Sequence, residues 1–377
     1  MQKTLKNILL TSLMLCTVAA PGCAAAPKSA QAPAQKAASA EQIAYRLTAE
    51  LLQEQKTGKN LVFSPYSLQQ ALNLISANTT DKKALKELAP YVDQTLTTEK
   101  LLHTKTGGLI LLDKKLAPSY TGKNQGDVKL VDYPGEALQE KLAFQKRILD
   151  SVIDKEPLKG NLNFLTAAHY FAEWETKFDK TQTKPRPFTT ETGKVRQVPT
   201  MKKTFTAGQA KITPDYEMAC LNAKQGAKVY FIKPLKAGRT LAPQLDKLVA
   251  SFEQRQGTVR NINLEVPKIA LKEKSDLLTL LRTLKLNTLF DGTLTFSKLT
   301  GKLPYQIASA TQTATLDVNE DYAEGKALTE IGFRVTSVME PQKIYYVKMD
   351  SPYFIIIKDR TQDGTQRVVF TAWVAEP

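Results

Sequence analysis

Side chains that commonly carry catalysis are scarce in this sequence. It holds two histidines, His103 and His169, and three cysteines, Cys16, Cys23 and Cys220. His169 lies in an apolar run and Cys220 lies beside apolar neighbours, so we interpret both as core residues. The sequence has no Gly-x-Ser-x-Gly elbow, no phosphate-binding glycine loop and no paired-cysteine metal site. We therefore expect a protein that is not an enzyme and that uses neither a metal nor another cofactor.

The composition is that of a globular protein with a basic excess. Of 377 residues, 42% are hydrophobic and 24% are charged, which is enough apolar material for a sizeable core. The formal net charge is +15, and residues 1–40 contribute four lysines and no acid, which leaves +11 for the rest. These charges are spread along the chain and accompany no nucleic-acid-reading motif, so we expect no nucleic-acid partner.

The first forty residues have the pattern of an export signal followed by a tether. Residues 1–23 read as a signal peptide, with a basic start, a short apolar stretch and the cleavage region PGCAAAP. Cleavage before Cys23 gives a lipidated cysteine and a membrane anchor, whereas cleavage within residues 24–26 releases a soluble protein. Residues 24–40 are rich in Ala, Pro and Ser and should stay extended. We expect a bacterial exported protein that is periplasmic, an outer-membrane lipoprotein or extracellular.

Apolar periodicity predicts one α+β domain over residues 41–377. After a short strand, Ser64 is a natural N-cap and Pro65 suits the first turn of the helix that follows. The run at 161–178 is typical of a strand buried on both faces. Helices are predicted mainly in the first half and strands in the second. The predicted helices include 41–58, ended by Gly58, 65–78, 136–155 and 242–256.

A segment with strand periodicity but little apolar content follows Asp317. From Ala323 onward, small residues alternate with larger and mostly charged ones: Ala323, Gly325, Ala327 and Thr329 against Glu324, Lys326, Leu328 and Glu330. Strict alternation predicts a strand with one buried face and one wet face. The residues on the buried face are too small to hold that strand in a core by themselves.

Several motifs in the same order resemble the serpin family and cover most of residues 41–377. NLVFSPYSLQQAL resembles the family's strand-to-helix motif. TAAHYFAEWETKFD, with Trp174, and QVPTM resemble its breach region. VPKI, LKLNTLF, SPYFIIIKD and RVVFTAWVAEP resemble its later strands, its late helix and its closing hairpin.

The resemblance implies a serpin fold, with large mixed or antiparallel β-sheets, a bundle of helices and an exposed reactive-centre loop over residues 320–345. It implies a monomeric protease inhibitor whose partner is a serine protease of elastase or subtilisin type, or a cysteine protease. The protease cuts the loop, the loop inserts into the central sheet, and the covalent acyl-enzyme complex is trapped. Small side chains on the inward face would let the strand enter without a clash.

The resemblance also assigns candidate site residues. The family's spacing from Glu320 puts the reactive bond between Thr336 and Ser337, with Arg334 and Met339 as alternatives. The shutter and breach positions fall on Ser64, Ser67, Thr166, Trp174 and Gln312. The hinge falls on Glu320, Asp321, Tyr322, Ala323, Glu324, Gly325, Lys326, Ala327, Leu328 and Thr329.

Three departures from the family pattern leave alternatives open. Tyr322 stands where the hinge usually has Gly, and Gln312 and Thr166 stand where the family has His and Asn. Residues 144–153 match the family's sheet-crossing helix poorly. A non-inhibitory serpin-fold binding or carrier protein is the main alternative. A plain solvated linker at GFRVTSVMEP and a secreted hydrolase are the others, and the hydrolase would need a triad that the sequence does not offer.

Overall fold

The computed structural model describes residues 39–205, 209–259, 261–321 and 344–377. Its α-helices in these ranges are α1 Ala40–Glu54, α2 Pro65–Asn78, α3 Lys82–Leu88, α4 Gly135–Leu149, α5 Leu245–Glu253 and α6 Leu278–Thr283. Short 3-10 helices lie at Ala89–Tyr91, Gln94–Thr97, Lys114–Ser119, Lys180–Gln182, Lys224–Gly226, Gly238–Gln244 and Asn287–Leu289.

Local capping sets where the first two helices begin. Ser39 and Gln42 form a reciprocal capping box at the start of α1, because each side chain accepts the other's backbone N–H. Helix α1 ends at Glu54, so the prediction that it runs to Gly58 is wrong. Ser64 caps α2 by accepting the N–H of Ser67, and Pro65 occupies the first turn, as predicted.

The strands form three layers. They are β1 Leu61–Phe63, β2 Thr104–Asp113, β3 Val128–Val131, β4 Leu162–Tyr170, β5 Lys184–Thr189, β6 Val195–Phe205, β7 Ala210–Ile212, β8 Tyr216–Asn222, β9 Lys228–Pro234, β10 Thr258–Val259, β11 Ile262–Pro267, β12 Ile269–Asp276, β13 Leu294–Thr295, β14 Pro304–Tyr305, β15 Thr311–Val318, β16 Tyr345–Lys348, β17 Tyr353–Arg360 and β18 Gln366–Val374. Strands β13 and β14 form a small separate pair. Together with the helices, these sheets confirm the α+β class.

The central layer is an antiparallel sheet of seven strands in the order β1-β18-β17-β9-β8-β7-β10. Both of its faces are covered. Phe354 and Ile356 point into the core that contains the apolar side chains of α1, whereas Ile355 and Ile357 point into a second core on the other face. Strand β17 therefore lies between the two cores and contributes alternate side chains to each.

A four-stranded sheet, in the order β16-β11-β6-β5, packs on that second core. Strand β16 pairs parallel to β11, and the other pairs are antiparallel. Its inward side chains include Met201, Leu264 and Val347, all fully buried. The opposite face of this four-stranded sheet, which we term its outer face, is directed away from the second core.

The third layer is divided into β3-β2-β4 and β12-β15. Helix α4 packs on β2 and β4 through Phe144 and Ile148, so a helix crosses this sheet although residues 144–153 resemble the family poorly there. The prediction that β4 is buried on both faces is wrong, because only Ala167 in it is buried. The reason is a missing neighbour: β4 pairs with β2 on one side, and its other edge opens into a cleft.

Candidate functional site

Strands β4 and β15 flank a cleft without pairing to each other. Among the described residues, β4 is hydrogen-bonded to β2 and β15 to β12, and no backbone hydrogen bond joins β4 to β15. Both strands therefore present unpaired edge N–H and C=O groups to the space between them, which are groups that pair readily with an additional strand.

The two strands run parallel to each other. At one end of the cleft Gly160 lies against Ala308, and at the other end the indole of Trp174 donates to the carbonyl of Asn319. Since both chains ascend in sequence from the first contact to the second, a strand that entered from the turn after β15 would run antiparallel to both. That is the direction that a chain takes when it reverses directly after β15.

The cleft has a volume of about 530 Å³ and lies between two helical layers. On its inner side lies α2, and on its outer side lie α4 and the segment that follows it. All five shutter and breach residues predicted from the resemblance line it: Ser64, Ser67, Thr166, Trp174 and Gln312.

Gln312 binds the backbone of Ser64 in both directions. Its Oε1 accepts the Ser64 N–H at 2.7 Å, and its Nε2 donates to the Ser64 carbonyl at 3.0 Å. The Ser64 hydroxyl in turn donates to the carbonyl of Val369 on β18 at 2.8 Å. A glutamine thus joins β15 to the N-cap of α2 and to the central sheet.

Thr166 makes the corresponding contact from β4. Its hydroxyl donates to the carbonyl of Ser67 at 2.8 Å and lies 3.1 Å from the Ser67 hydroxyl. Strands β4 and β15 are therefore each bonded to the first turn of α2, one through Thr166 and one through Gln312. The start of α2, which forms the floor of the cleft, therefore connects its two sides, β4 and β15, although these strands do not bond to each other there.

One end of the cleft is closed. Trp174 donates to Asn319 at 2.9 Å and packs edge-on against Phe178, whose N–H donates to the carbonyl of Glu320 at 3.1 Å. These contacts hold the end of β15 against the chain after β4. Asp321, where the predicted hinge continues, lies immediately after these contacts.

Glu320 is a buried carboxylate with two partners. It accepts a hydrogen bond from Thr183 at 2.7 Å and forms an ion pair with Lys268 at 2.8 Å. Burial opposes its ionisation, but the bonds from Lys268 and Thr183 outweigh that effect and lower the pKa of Glu320 below its usual value. Asp321 forms ion pairs with Lys177 and Lys180. The hinge prediction at these two residues thus falls on anchored positions.

The remaining predicted site residues lie outside the described residues. They are the lipidation candidate Cys23, the hinge residues Tyr322, Ala323, Glu324, Gly325, Lys326, Ala327, Leu328 and Thr329, the bond Thr336–Ser337 and the alternatives Arg334 and Met339. Their roles stay predictions.

The segment after α4 is part of the site, and the prediction that the helix runs on to residue 155 is wrong, because α4 ends at Leu149. Gln145 accepts the N–H groups of Ile153 and Asp154 and donates to the Asp154 carbonyl, which folds the segment back along the helix. Asp154 pairs with Lys141 of α4 at 3.0 Å, and Lys274 of β12 reaches Asp154 at 3.6 Å. The segment therefore spans both sides of the cleft. These partners are far apart in sequence, and no local pattern indicates them.

The histidine and cysteine interpretations have different outcomes. Cys220 is buried in β8, and burial raises its pKa to about 12, so its interpretation as a small core residue is confirmed. His169 is not a core residue: its side chain is about one-third exposed and its Nδ1 lies 3.3 Å from Asp150. Within the described ranges, no group of three His, Cys, Asp or Glu side chains is placed to hold a metal ion. No helix in the same ranges combines the length and apolar content needed to cross a bilayer.

Comparisons with known proteins agree with this architecture. A family model described as serpin (serine protease inhibitor) matches residues 145–377, which is more than half of the chain. Serine proteinase inhibitor A3K of Cavia porcellus is 24% identical over 355 residues, covering 83% of each chain.

Two solved structures show the same fold at low sequence identity. Human kallistatin superposes with a TM-score of 0.73 at 19% identity, covering 90% of this chain and 96% of its own. Human thyroxine-binding globulin in complex with thyroxine superposes with a TM-score of 0.71 at 18% identity, covering 90% and 97%.

Proposed function

The chain belongs to the serpin family, and from this premise we propose that it inhibits proteases as a suicide substrate. Serpins are generally protease inhibitors and not catalysts. In the proposed mechanism, a protease cleaves the loop over residues 320–345, and the amino-terminal side of the cut loop enters the cleft between β4 and β15. The protease, still attached as an acyl-enzyme, is carried with it.

The observation that carries the proposal is the cleft itself. In the part of the chain that the structure describes, the facing edges of β4 and β15 are unpaired, and both strands are bonded to the turn beneath them. They also have the relative direction that an antiparallel third strand from the end of β15 requires. Edges of this kind are normally paired or covered in a folded protein. A strand that filled the cleft would satisfy both rows of backbone groups.

The alternation after Tyr322 fits such a strand. Side chains of an inserted strand would point alternately toward α2 and toward the outer side, where α4 and the segment after it lie. The α2 side is a packed core that contains Leu68 and Leu72, so only small groups enter it without displacing neighbours. Ala323, Gly325, Ala327 and Thr329 would supply that face.

The chemistry is that of peptide cleavage stopped halfway. The protease's serine or cysteine attacks the carbonyl carbon of Thr336, the bond to the nitrogen of Ser337 breaks, and that nitrogen leaves as an amine. The Thr336 acyl group stays on the protease, and distortion of the protease then prevents hydrolysis. A threonine suits elastase-like and subtilisin-like enzymes, or a cysteine protease that reads Val335. Arg334, for trypsin-like enzymes, and Met339 are the alternatives.

The proposed location is the cell envelope of a bacterium or its surroundings. Residues 1–23 would direct export, and a lipid on Cys23 would anchor the protein through the tether of residues 24–40. In this setting the inhibitor, acting as a monomer, meets proteases outside the cytoplasm.

Incubation with elastase-like and subtilisin-like proteases tests the mechanism. We expect an SDS-stable complex with the summed mass of the two proteins less the released carboxy-terminal fragment. Ala327→Arg should turn the inhibitor into a simple substrate, because a long cation on the inward face blocks entry into the core. Lys326→Arg is the matched control, since it changes the outward face, and it should still trap. Cleavage near Thr336 with the wild-type protein leaving every protease fully active would contradict the proposal.

A binding or carrier function is the second candidate. Tyr322 at the hinge favours it, because a large ring where the family has glycine would hinder the first step of insertion. Human thyroxine-binding globulin, which shares the fold, is seen in complex with a small ligand. The carrier function predicts that loop cleavage leaves the melting temperature unchanged, whereas the inhibitor predicts a large rise.

A further inference from the structure

The outer face of the four-stranded sheet carries a group of cations that we term the basic face: Lys184, Arg186, Lys202 and Lys348. Arg186 Nη1 lies 3.5 Å and Lys202 Nζ lies 3.9 Å from the same Glu265 oxygen, which places both on one face. Lys348 is the register partner of Glu265 on β16, and Lys184 precedes Arg186 by two residues, so both share that face.

Glu265, the acid between these cations, is more deeply buried than they are. The Glu265 side chain is 8% exposed, whereas those of Arg186 and Lys202 are each 32% exposed. Four cations and one submerged carboxylate give the face a net charge of +3. Tyr346, two residues before Lys348 on the same strand, adds an aromatic ring that is 59% exposed. A surface that carries both an exposed tyrosine and an arginine has a composition typical of protein-binding surfaces.

The proposed reactive loop begins and ends at opposite ends of this sheet. Before the loop, Glu320 pairs with Lys268, the residue that follows β11. After the loop, the N–H of Tyr345 donates to the carbonyl of Asn261, the residue that precedes β11. Strand β11 has six residues and spans about 20 Å. A protein that engages the loop therefore comes to lie beside this sheet.

The β5 edge of the same sheet is not suited to backbone pairing. Edge strand β5 carries Pro185 and Pro187, which lack the N–H that a pairing strand needs. Recognition here would go through the side chains of the face and not through strand addition at β5.

We propose that the basic face is a docking surface for the target protease, and that this protease carries an acidic rim beside its active-site cleft. The inference rests on the proposed inhibitory function and names a property of its partner. A protease is the favoured occupant because the face lies between the two ends of the loop, and because it combines an exposed tyrosine with its cations. Charge complementarity at such a surface mainly accelerates association.

The test compares two variants with the same change in net charge. The docking variant combines Arg186→Gln, Lys202→Gln, Lys348→Gln and Glu265→Gln, so that no buried carboxylate is left without cations. The control variant combines Lys82→Gln and Lys86→Gln on α3, where both lysines are exposed. Each variant removes two net positive charges, and equal melting temperatures would verify that both fold.

Two proteases with the same cleavage preference and oppositely charged rims are the probes. For each, the rates of loop cleavage and of covalent complex formation are measured from 25 to 500 mM NaCl. With the acidic-rimmed protease at low salt we expect the docking variant to react about tenfold more slowly than wild type, and the difference to vanish at high salt. The control variant should stay within about twofold of wild type, and the basic-rimmed protease should not distinguish the three proteins.

The outcomes separate this inference from the function on which it rests. Wild-type rates for the docking variant would overturn the docking surface while leaving the inhibitor intact. A charge-dependent rate of cleavage without any covalent complex would support the surface and contradict the trapping mechanism. A difference that arises only when heparin is added would show that the face binds a sulfated polysaccharide, and would overturn the protease proposal.

Discussion

The central seven-stranded sheet and the divided third layer contain strands of similar composition, but these strands differ in burial and in pairing. Strand β17 is buried along nearly its whole length and is paired on both edges, with β18 and β9. Strand β4 has a comparable apolar sequence, yet it is paired on one edge and largely half-exposed. The difference lies in the neighbours that each strand has, not in the strands themselves.

This contrast shows where the fold can still gain free energy. Within the described ranges, β17 is paired on both edges, whereas the facing edges of β4 and β15 have no strand partner. A new strand would add ladder hydrogen bonds and bury the half-exposed side chains of β4 and β15. The molecule therefore combines a fully packed central sheet with a third layer that can accept one more strand.

Loop cleavage should produce the largest effect. If the cut loop enters the cleft, about eight new ladder bonds at roughly 1 kcal/mol each would form. For a large domain, each kcal/mol raises the melting temperature by about 2–4 °C, so a rise of about 15–30 °C is expected in calorimetry. The Ala327→Arg variant, cleaved in the same way, is the control and should show no such rise. An equal rise in both would contradict the insertion model.

Truncation of one side chain in each sheet should separate the two regions. Ile356→Ala removes a fully buried side chain between two paired strands and should lower the free energy of unfolding by about 3–5 kcal/mol. Leu165→Ala on β4 removes a half-buried side chain beside the cleft and should cost about 1–2 kcal/mol. Denaturant unfolding of both variants measures the difference. Equal losses would mean that β4 is as well packed as β17.

Removal of the Gln312 amide should loosen the floor of the cleft. Gln312→Ala leaves the buried backbone groups of Ser64 without two bonds and should cost about 2 kcal/mol. Gln197→Ala, at an exposed position of β6, is the control and should change stability by less than about 0.5 kcal/mol. Hydrogen exchange at the Ser64 amide should accelerate in the first variant alone. Unchanged exchange would argue that the amide is not needed to join β15 to α2.

Acid should weaken the closed end of the cleft. The pKa of Glu320 is lowered in the folded protein. Its ionised side chain therefore adds to the free energy of unfolding above the pKa of an unfolded glutamate, and this stabilisation is lost as the pH falls through the pKa in the folded protein. Glu320→Gln should cost about 1–2 kcal/mol at neutral pH and remove this part of the acid dependence. Asp215→Asn, in an exposed pair with Lys236, should cost less than about 0.5 kcal/mol. Identical acid profiles for wild type and Glu320→Gln would exclude the role of this carboxylate.

The sequence allowed some parts of this architecture to be predicted and hid others. The start of α2 was predictable because Ser64 and Pro65 act within one turn. The cleft residues Thr166 and Gln312 were reached only through the family resemblance, since their partners lie about 100 and 250 residues away. The burial of β4 was wrongly predicted because periodicity reports the faces of a strand and says nothing of a vacant edge. Lys274 gave no signal, because its contact with Asp154 depends on tertiary structure alone.

The roof and floor of the cleft restrict how anything can enter it. Helix α2 lies below, α4 and the segment held by Lys274 lie above, and the chain that would enter starts at the Trp174 end. A strand from the loop would therefore enter at its attached end beside Trp174 and proceed, one pair of residues after another, toward its cleaved end. Insertion would then depend on the bulkiest inward-facing side chain that has reached the cleft, and one side chain that does not fit would stop insertion at that residue.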